Sequence, residues 1–300
     1  MSGTVPDRPS EPGSPLRTRL LAWYDDHARD LPWRDPSASA WAVLVSELML
    51  QQTPVSRVLP VYEQWLRRWP SPAALAAAPT GEAVRAWGRL GYPRRALRLH
   101  AAAATILEQH DGQVPESYDD LLALPGVGDY TAAAVASFAF QRRHAVLDTN
   151  VRRVLARVVG GVELPAASVT RSERDLATRL LPEDGPTAAA WSVATMELGA
   201  VVCVAKAPRC DACPVPDLCA WRGAGYPAND GPRRRTQSYD GTDRQCRGRL
   251  LQVLRESHDP VHRSALAAAW PVHGQRDRCL QWLVDDGLVA RSSSDTYALP

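Results

Sequence analysis

Leu124-Pro125-Gly126-Val127-Gly128-Asp129-Tyr130-Thr131 falls between two stretches of helical periodicity, predicted at about 117–124 and 129–139. Two glycines two residues apart let the backbone turn tightly, and the amides this exposes sit at the N-terminus of the following helix, where a phosphate oxygen is favoured. A Pro-Gly-x-Gly connector between helices is also a common plain turn, so the segment alone supports either reading. The helical pattern continues on both sides, with further helices predicted at about 16–28, 41–52, 55–68, 80–88, 94–110, 148–159, 170–181 and 187–200 and no alternation of period two. Pro54 fits the first turn of the third helix and Asp148 a cap on the eighth. The body is therefore expected to be all-α from Leu16 to about Ala200.

With 300 residues the prior is two domains, and 45% hydrophobic with 23% charged residues is an ordinary globular composition. No run approaches the ~18 apolar residues of a membrane span. The N-terminal MSGTVPDRPSEPGSP lacks the apolar core of a secretory signal, so a cytoplasmic chain without membrane partners is expected, one that does not use its six cysteines for disulfides. A net charge of +2 neither demands nor excludes a polyanionic partner. Basic charge is almost wholly arginine: Lys206 is the single lysine, so chemistry needing a side-chain amine nucleophile has one candidate.

Four cysteines fall within seventeen residues as Cys203-x6-Cys210-x2-Cys213-x5-Cys219, separated by Pro-rich spacers. Four thiolates on one short loop can wrap a single metal centre. A four-cysteine zinc site and unrelated buried thiols are the alternatives, but zinc sites usually pair two tight Cys-x2–4-Cys steps and only one exists here. Cys246 and Cys279 stand alone and read as core residues. Asp148, in Leu147-Asp148-Thr149-Asn150-Val151-Arg152, reads in isolation as an N-cap. Glu47 is the one carboxylate of the apolar helix WAVLVSELMLQQT (41–53), either solvent-facing or buried; a carboxyl in an apolar wall is suited to acid catalysis.

Hairpin, aspartate and four-cysteine loop, in this order and spacing, together resemble the helix-hairpin-helix DNA glycosylase superfamily in its branch carrying a [4Fe–4S] cluster, over roughly residues 16–222. The resemblance implies a six-helix barrel at 34–145 and a cluster domain at 16–33 and 146–222, with Cys203, Cys210, Cys213 and Cys219 as ligands. Residues 1–15 read as a disordered tail and 223–243 as a linker. Residues 244–300, with three short helical segments and two short runs about a polar turn, read as a small winged-helix-like α+β module.

Endonuclease III-type members carry a lysine two positions after the hairpin's second glycine; Tyr130 stands there instead, which excludes a lysine-dependent lyase step from this hairpin. Ser46-Glu47-Leu48-Met49-Leu50-Gln51-Gln52-Thr53, Leu31-Pro32-Trp33-Arg34 and Arg89-Leu90-Gly91-Tyr92 are similar to the MutY-type adenine glycosylase branch, with Arg89 and Pro93 where the family more usually has Gly and Tyr. The resemblance implies a monofunctional base-excision enzyme, a monomer acting on double-stranded DNA and removing adenine mispaired with 8-oxoguanine or guanine. Glu47 would be the general acid, Asp148 the anion facing the sugar cation, and Tyr130 and Asn150 their orienting partners. DNA contacts would come from Arg34, Gln52, Thr53, Leu90, Tyr92, Gly126, Gly128, Lys206 and Arg209. Family members commonly end in a larger domain that inspects 8-oxoguanine, and 57 residues are too few for it. Arg276 and Arg278 on the module's third helix suggest DNA contacts, but nearby acidic residues make a structural appendage equally compatible. The rivals are an endonuclease III-like or thymine-mismatch glycosylase and a non-catalytic iron–sulfur DNA-binding regulator.

Overall fold

The computed structural model describes residues 14–229 and 239–300. The tail expected at 1–15 lies outside these residues except for Ser14 and Pro15, and Pro15 already opens the first helix; the central part of the expected linker, 230–238, also lies outside them. Helices run α1 Pro15–His27, α2 Ala40–Leu50, α3 Val55–Arg68, α4 Pro72–Ala76, α5 Thr80–Trp87, α6 Arg94–Gln109 and α7 Tyr118–Ala123. They continue as α8 Asp129–Phe140, α9 Thr149–Val158, α10 Arg171–Leu180, α11 Gly185–Val201 and α12 Ala220–Gly223. The C-terminal part is α13 Asp243–Glu256, β1 Val261–His262, α14 Arg263–Ala269, α15 His273–Asp285, β2 Ala290–Arg291 and β3 Thr296–Ala298. Among the described residues no helix is long and apolar enough to cross a membrane.

The predicted helices all form, with ends shifted by a few residues. Two local corrections follow from cap chemistry. Pro54 is the extended residue before α3 rather than part of its first turn. The short α4 was not expected, although Ser71-Pro72 carries its signal: the Ser71 side chain accepts from the Ala74 amide and Pro72 supplies a pre-set first turn.

The chain divides into two compact units. One comprises the described residues up to Val43, Glu116–Leu122, and those from Gly128 to 229. Its core gathers Leu20 and Trp23 of α1, Val151, Val154, Leu155 and Val158 of α9, and Trp191, Ala194 and Leu198 of α11. Helix α9 is strongly one-sided, and α11, buried over most of its length, lies against both α9 and α1. A capping box between Thr170 and Glu173 starts α10.

The other unit comprises Leu44–Pro115, Ala123–Val127 and the described residues from 239 onward. Trp65, Trp69 and Trp87 meet edge to face in its interior, with Trp65–Trp69 centroids 4.6 Å apart. Within its C-terminal part, α13 packs on α14 and α15, and an antiparallel sheet of order β1-β3-β2 pairs Val261 with Tyr297 and Ala290 with Ala298. Cys246 and Cys279 are fully buried there, as expected of core residues.

Candidate active site and cysteine loop

At the hairpin the Val127 amide closes onto the Leu124 carbonyl, and Gly126 adopts φ +81°, which a side chain rarely tolerates. A Cβ on Gly126 would also lie 2.6 Å from Cβ of Arg98, so this position needs glycine twice over. Gly128 is exposed at the N-cap of α8, with no side-chain cap to occupy the first amides. Tyr130, one residue into the helix, is partly buried against Ala133, Ala134 and Val146.

Asp148 caps α9 as its sequence position predicts. Its Oδ1 accepts from the amides of Asn150 (2.9 Å) and Val151 (2.6 Å), and its Oδ2 from Asn150 Nδ2 at 2.7 Å. Asn150 is fixed in turn, its Oδ1 accepting from Arg153 Nη2 at 2.8 Å. A helix N-terminus favours an anion, but the balance here runs the other way: burial pushes the Asp148 carboxyl above its usual range, and its hydrogen bonds and Arg153 only partly offset that.

Two residues that sequence reasoning missed complete this arrangement. Arg153 also donates to the Cys203 carbonyl (2.7 Å) and the Gly199 carbonyl (2.7 Å), so one guanidinium ties the aspartate's partner to the start of the cysteine loop. Gly199 admits α9 to close range: a Cβ there would lie 2.7 Å from Asn150 Cβ and 2.8 Å from its carbonyl oxygen. Nothing in the local sequence marks Gly199, because the contact is made across two helices.

Cys203, Cys210, Cys213 and Cys219 line one cavity together with Arg157 and Trp221, and all are free thiols. Arg157, only 1% exposed, donates to Cys203 Sγ at 3.4 Å and to the carbonyls of Val204 and Glu163, and lies over the Trp221 ring. Among the described residues, no three His, Cys, Asp or Glu side chains converge enough to hold a single metal ion. The sulfur-only donor set fits an iron–sulfur centre: four cysteines around a shared cavity, one already receiving an N–H. Burial pushes the Cys213 thiol up to about 11 and raises Cys203, so a bound metal would have to displace protons from both.

Two expected DNA-contacting arginines have intramolecular partners. Arg34 Nη2 and Arg29 Nε bind the two oxygens of Glu197, at 2.7 and 2.6 Å, on a carboxylate with no exposure. Burial pushes Glu197 up, but the two guanidinium forks outweigh it and hold the carboxyl at about 2. Arg209 donates to the Val201 carbonyl at the end of α11, while Lys206 is exposed.

In the other unit Glu47 is 4% exposed on α2, so the solvent-facing reading fails. Just past the end of that helix Gln52 takes φ +55°, in the loop between α5 and α6 Tyr92 takes φ +47°, and the Tyr92 hydroxyl donates to Gln52 Oε1 at 2.8 Å. Such backbone in non-glycine residues clusters at functional sites. Tyr92 is 55% exposed, an aromatic face open to solvent. Leu90, expected beside it as a DNA contact, is instead a core residue, 3% exposed, its carbonyl accepting from Thr53 Oγ1 at 3.1 Å. Thr53 is likewise buried.

Arg95 assembles this corner. It is 5% exposed, and it donates to the carbonyls of Leu48 (2.9 Å), Met49 (3.1 Å) and Gln51 (2.6 Å), to Thr53 Oγ1 and to Gly91 O. The open carbonyls at the end of α2 thus receive a cation, which joins them to the 88–93 loop. Burial lowers Arg95 to about 10. Its signal was present in the sequence, as an arginine on the buried stripe Leu99, Ala102, Ala103 and Ile106 of α6.

A glycine-turned hairpin and a half-buried aspartate capping a helix, followed by a four-cysteine loop, define a class, the helix-hairpin-helix base-excision glycosylases, and the description "HhH-GPD superfamily base excision DNA repair protein" matches residues 45–178. The chain is 55% identical over 285 residues to the adenine DNA glycosylase of Mycobacterium tuberculosis (strain H37Rv), covering 94% of this chain and 93% of that one. It belongs to the adenine DNA glycosylase family, MutY-type, within that superfamily. Among solved structures, a thermostable thymine-DNA glycosylase matches with TM-score 0.64 at 27% identity, covering 70% of this chain and 95% of that one. Endonuclease III in a non-covalent DNA complex shares the fold, with TM-score 0.60 at 22% identity over 70% of this chain and 94% of that one.

Proposed function

We propose that this enzyme hydrolyses the N-glycosidic bond of adenine mispaired with 8-oxoguanine or guanine in duplex DNA and stops at the abasic site. The observation that carries the reading is Asp148: a desolvated carboxyl held by three hydrogen bonds, placed by its neighbours and not by its own flexibility. A stacked base cannot present its glycosidic bond to a pocket, so the adenosine must be extruded, and the exposed Tyr92 is suited to fill or wedge the stack. Glu47 protonates adenine N7, which turns a poor leaving group into a neutral one. Asp148 faces the oxocarbenium-like sugar as the bond breaks; an anion held by fixed dipoles in a dry setting stabilises a forming cation better than a hydrated one does. Water then adds at C1′. Asn150 fixes Asp148 directly, and Arg153 fixes Asn150.

Cys203, Cys210, Cys213 and Cys219 would hold a [4Fe–4S] cluster, whose contribution is to order the loop from 203 to 219; no step of the hydrolysis passes through it. Tyr130 at the position of the lyase lysine supports the stop at the abasic site.

The experiment is single-turnover excision on duplexes that differ only in the mispair: adenine opposite 8-oxoguanine, adenine opposite guanine, and thymine opposite guanine. Adenine release from the first two is expected, reduced at least ~100-fold by Glu47→Gln, the scale general acid catalysis supplies. Thymine release at a comparable rate would refute the assignment of the base.

A further inference from the structure

The arginines of α14, α15 and β2 spend their charge on their own fold. On α15, Arg276 is 5% exposed and donates to the Trp270 carbonyl, while Arg278 is paired with Asp243 at 2.9 Å and lies over Trp282. Arg263 pairs with Asp277 at 2.8 Å, and Arg291 donates to the carbonyls of Ser293 and Ser294. The side chains a DNA-reading helix would offer to a groove are already engaged.

The contacts with the preceding helices of the same unit are specific. Arg255, in the last turn of α13, donates through Nε to the Val84 carbonyl in α5 at 3.0 Å, and Arg85 donates back to the Arg255 carbonyl. Asp286, just after α15, bridges Arg247 and Arg94, the latter at 3.3 Å and the first residue of α6. At the other end of α5 the Gly81 amide donates to the Pro300 carbonyl at 2.6 Å, where a Cβ on residue 81 would collide. Between α5 and α6 lies the loop that presents Tyr92. Gly88, Gly91 and Tyr92 all take positive φ there, and the Trp87 indole and Arg95 converge on the Gly91 carbonyl. A loop so short and so contorted keeps its shape only while its two anchoring helices keep their separation.

We propose that residues 239–300 brace this loop, Arg255 holding the end of α5 and Asp286 the start of α6 so that Tyr92 is presented in one conformation, and that they are not a second DNA-reading surface. Arg255 and Asp286 are thus positioning residues. The proposal rests on the reading of Tyr92 as the residue that enters the base stack.

The test uses the full chain with Arg255→Met and, separately, Asp286→Ala at the half-buried carboxylate that bridges Arg94 and Arg247. Hydrogen exchange should accelerate about tenfold at the amides of 88–92 in the arginine variant, the scale of one lost charge-assisted hydrogen bond, with α9 and residues 203–219 unchanged. Affinity for the mispaired duplex should fall by a similar factor, while the excision rate at saturating enzyme stays within about twofold of wild type. The slope of log Kd against log salt should not change, because no phosphate contact is lost. Unaltered exchange at 88–92 in both variants, uniform acceleration along the whole chain, or a shallower salt slope would each overturn the proposal. Faster exchange at 88–92 with unchanged mispair affinity would uphold the brace and refute the role given to Tyr92, so the two failures are distinguishable.

Discussion

Asp148→Asn separates the chemistry proposed for Asp148 from its role as a helix cap. The carboxyl accepts three hydrogen bonds, two of them from backbone amides of α9, and asparagine caps helices about as well as aspartate. The cap should therefore survive in the asparagine variant and fail in Asp148→Ala, which should lose about 1 kcal/mol of stability. The asparagine variant does forfeit one bond, because an amide nitrogen must now face Asn150 Nδ2 or exchange places with the oxygen, a cost of about 1 kcal/mol. Against that stands the buried charge. The folded-state pKa of Asp148 is raised, so the native state holds its proton to higher pH than the unfolded chain does, and wild-type stability declines as pH rises from about 4 through that folded value. The asparagine variant lacks this titration. Any advantage of wild type over Asp148→Asn must therefore be largest near pH 4 and shrink towards pH 7, while excision falls at least ~100-fold in the variant. Urea denaturation at pH 4, 5.5 and 7 for the three proteins, with single-turnover excision at pH 7, measures both. If the wild-type advantage instead grows with pH, the carboxylate stabilises the fold and the desolvation argument is wrong.

The Glu197 ion pairs titrate in the opposite sense: with the folded carboxyl at about 2, Glu197→Gln should lose about 3 kcal/mol at pH 7, and the gap to wild type should close as pH falls from about 4.5 towards 2. This is the lower end of the ~3–5 kcal/mol that breaking a buried ion pair costs, because Arg29 is 38% exposed and screened; a difference independent of pH, read by denaturant titration, would contradict the assignment. Gly199→Ala should push Asn150 away from Asp148, costing about 1–3 kcal/mol by overpacking and at least tenfold in single-turnover excision. Full activity in that variant would show that Asp148 does not depend on Asn150 for its placement.

Much of this protein was legible along the chain because its signals are local. A Pro-Gly-x-Gly connector needs the left-handed backbone of Gly126, an aspartate before a helix caps it, and four cysteines within seventeen residues gather around one cavity. The helices were legible for the same reason, since apolar periodicity and caps act within a few residues. Glu47 and Glu197 show where that legibility ends. Each is the lone carboxylate of an apolar helix, and hydrophobic patterning alone offers no ground for treating them differently; only the family resemblance of residues 46–53 sets Glu47 apart. Tertiary structure commits Glu197 to two arginines more than 160 residues away in sequence, and with it Arg34, which the sequence suggested for DNA. The same holds for Leu90, drawn into the core beside Thr53, for Arg95 at the end of α2, for Gly199 against Asn150, and for the grip of residues 239–300 on α5 and α6. A cap or a turn is decided by groups the chain itself brings together, whereas the partner of a buried charge is whichever group the packed helices deliver to it, and only the folded chain fixes that.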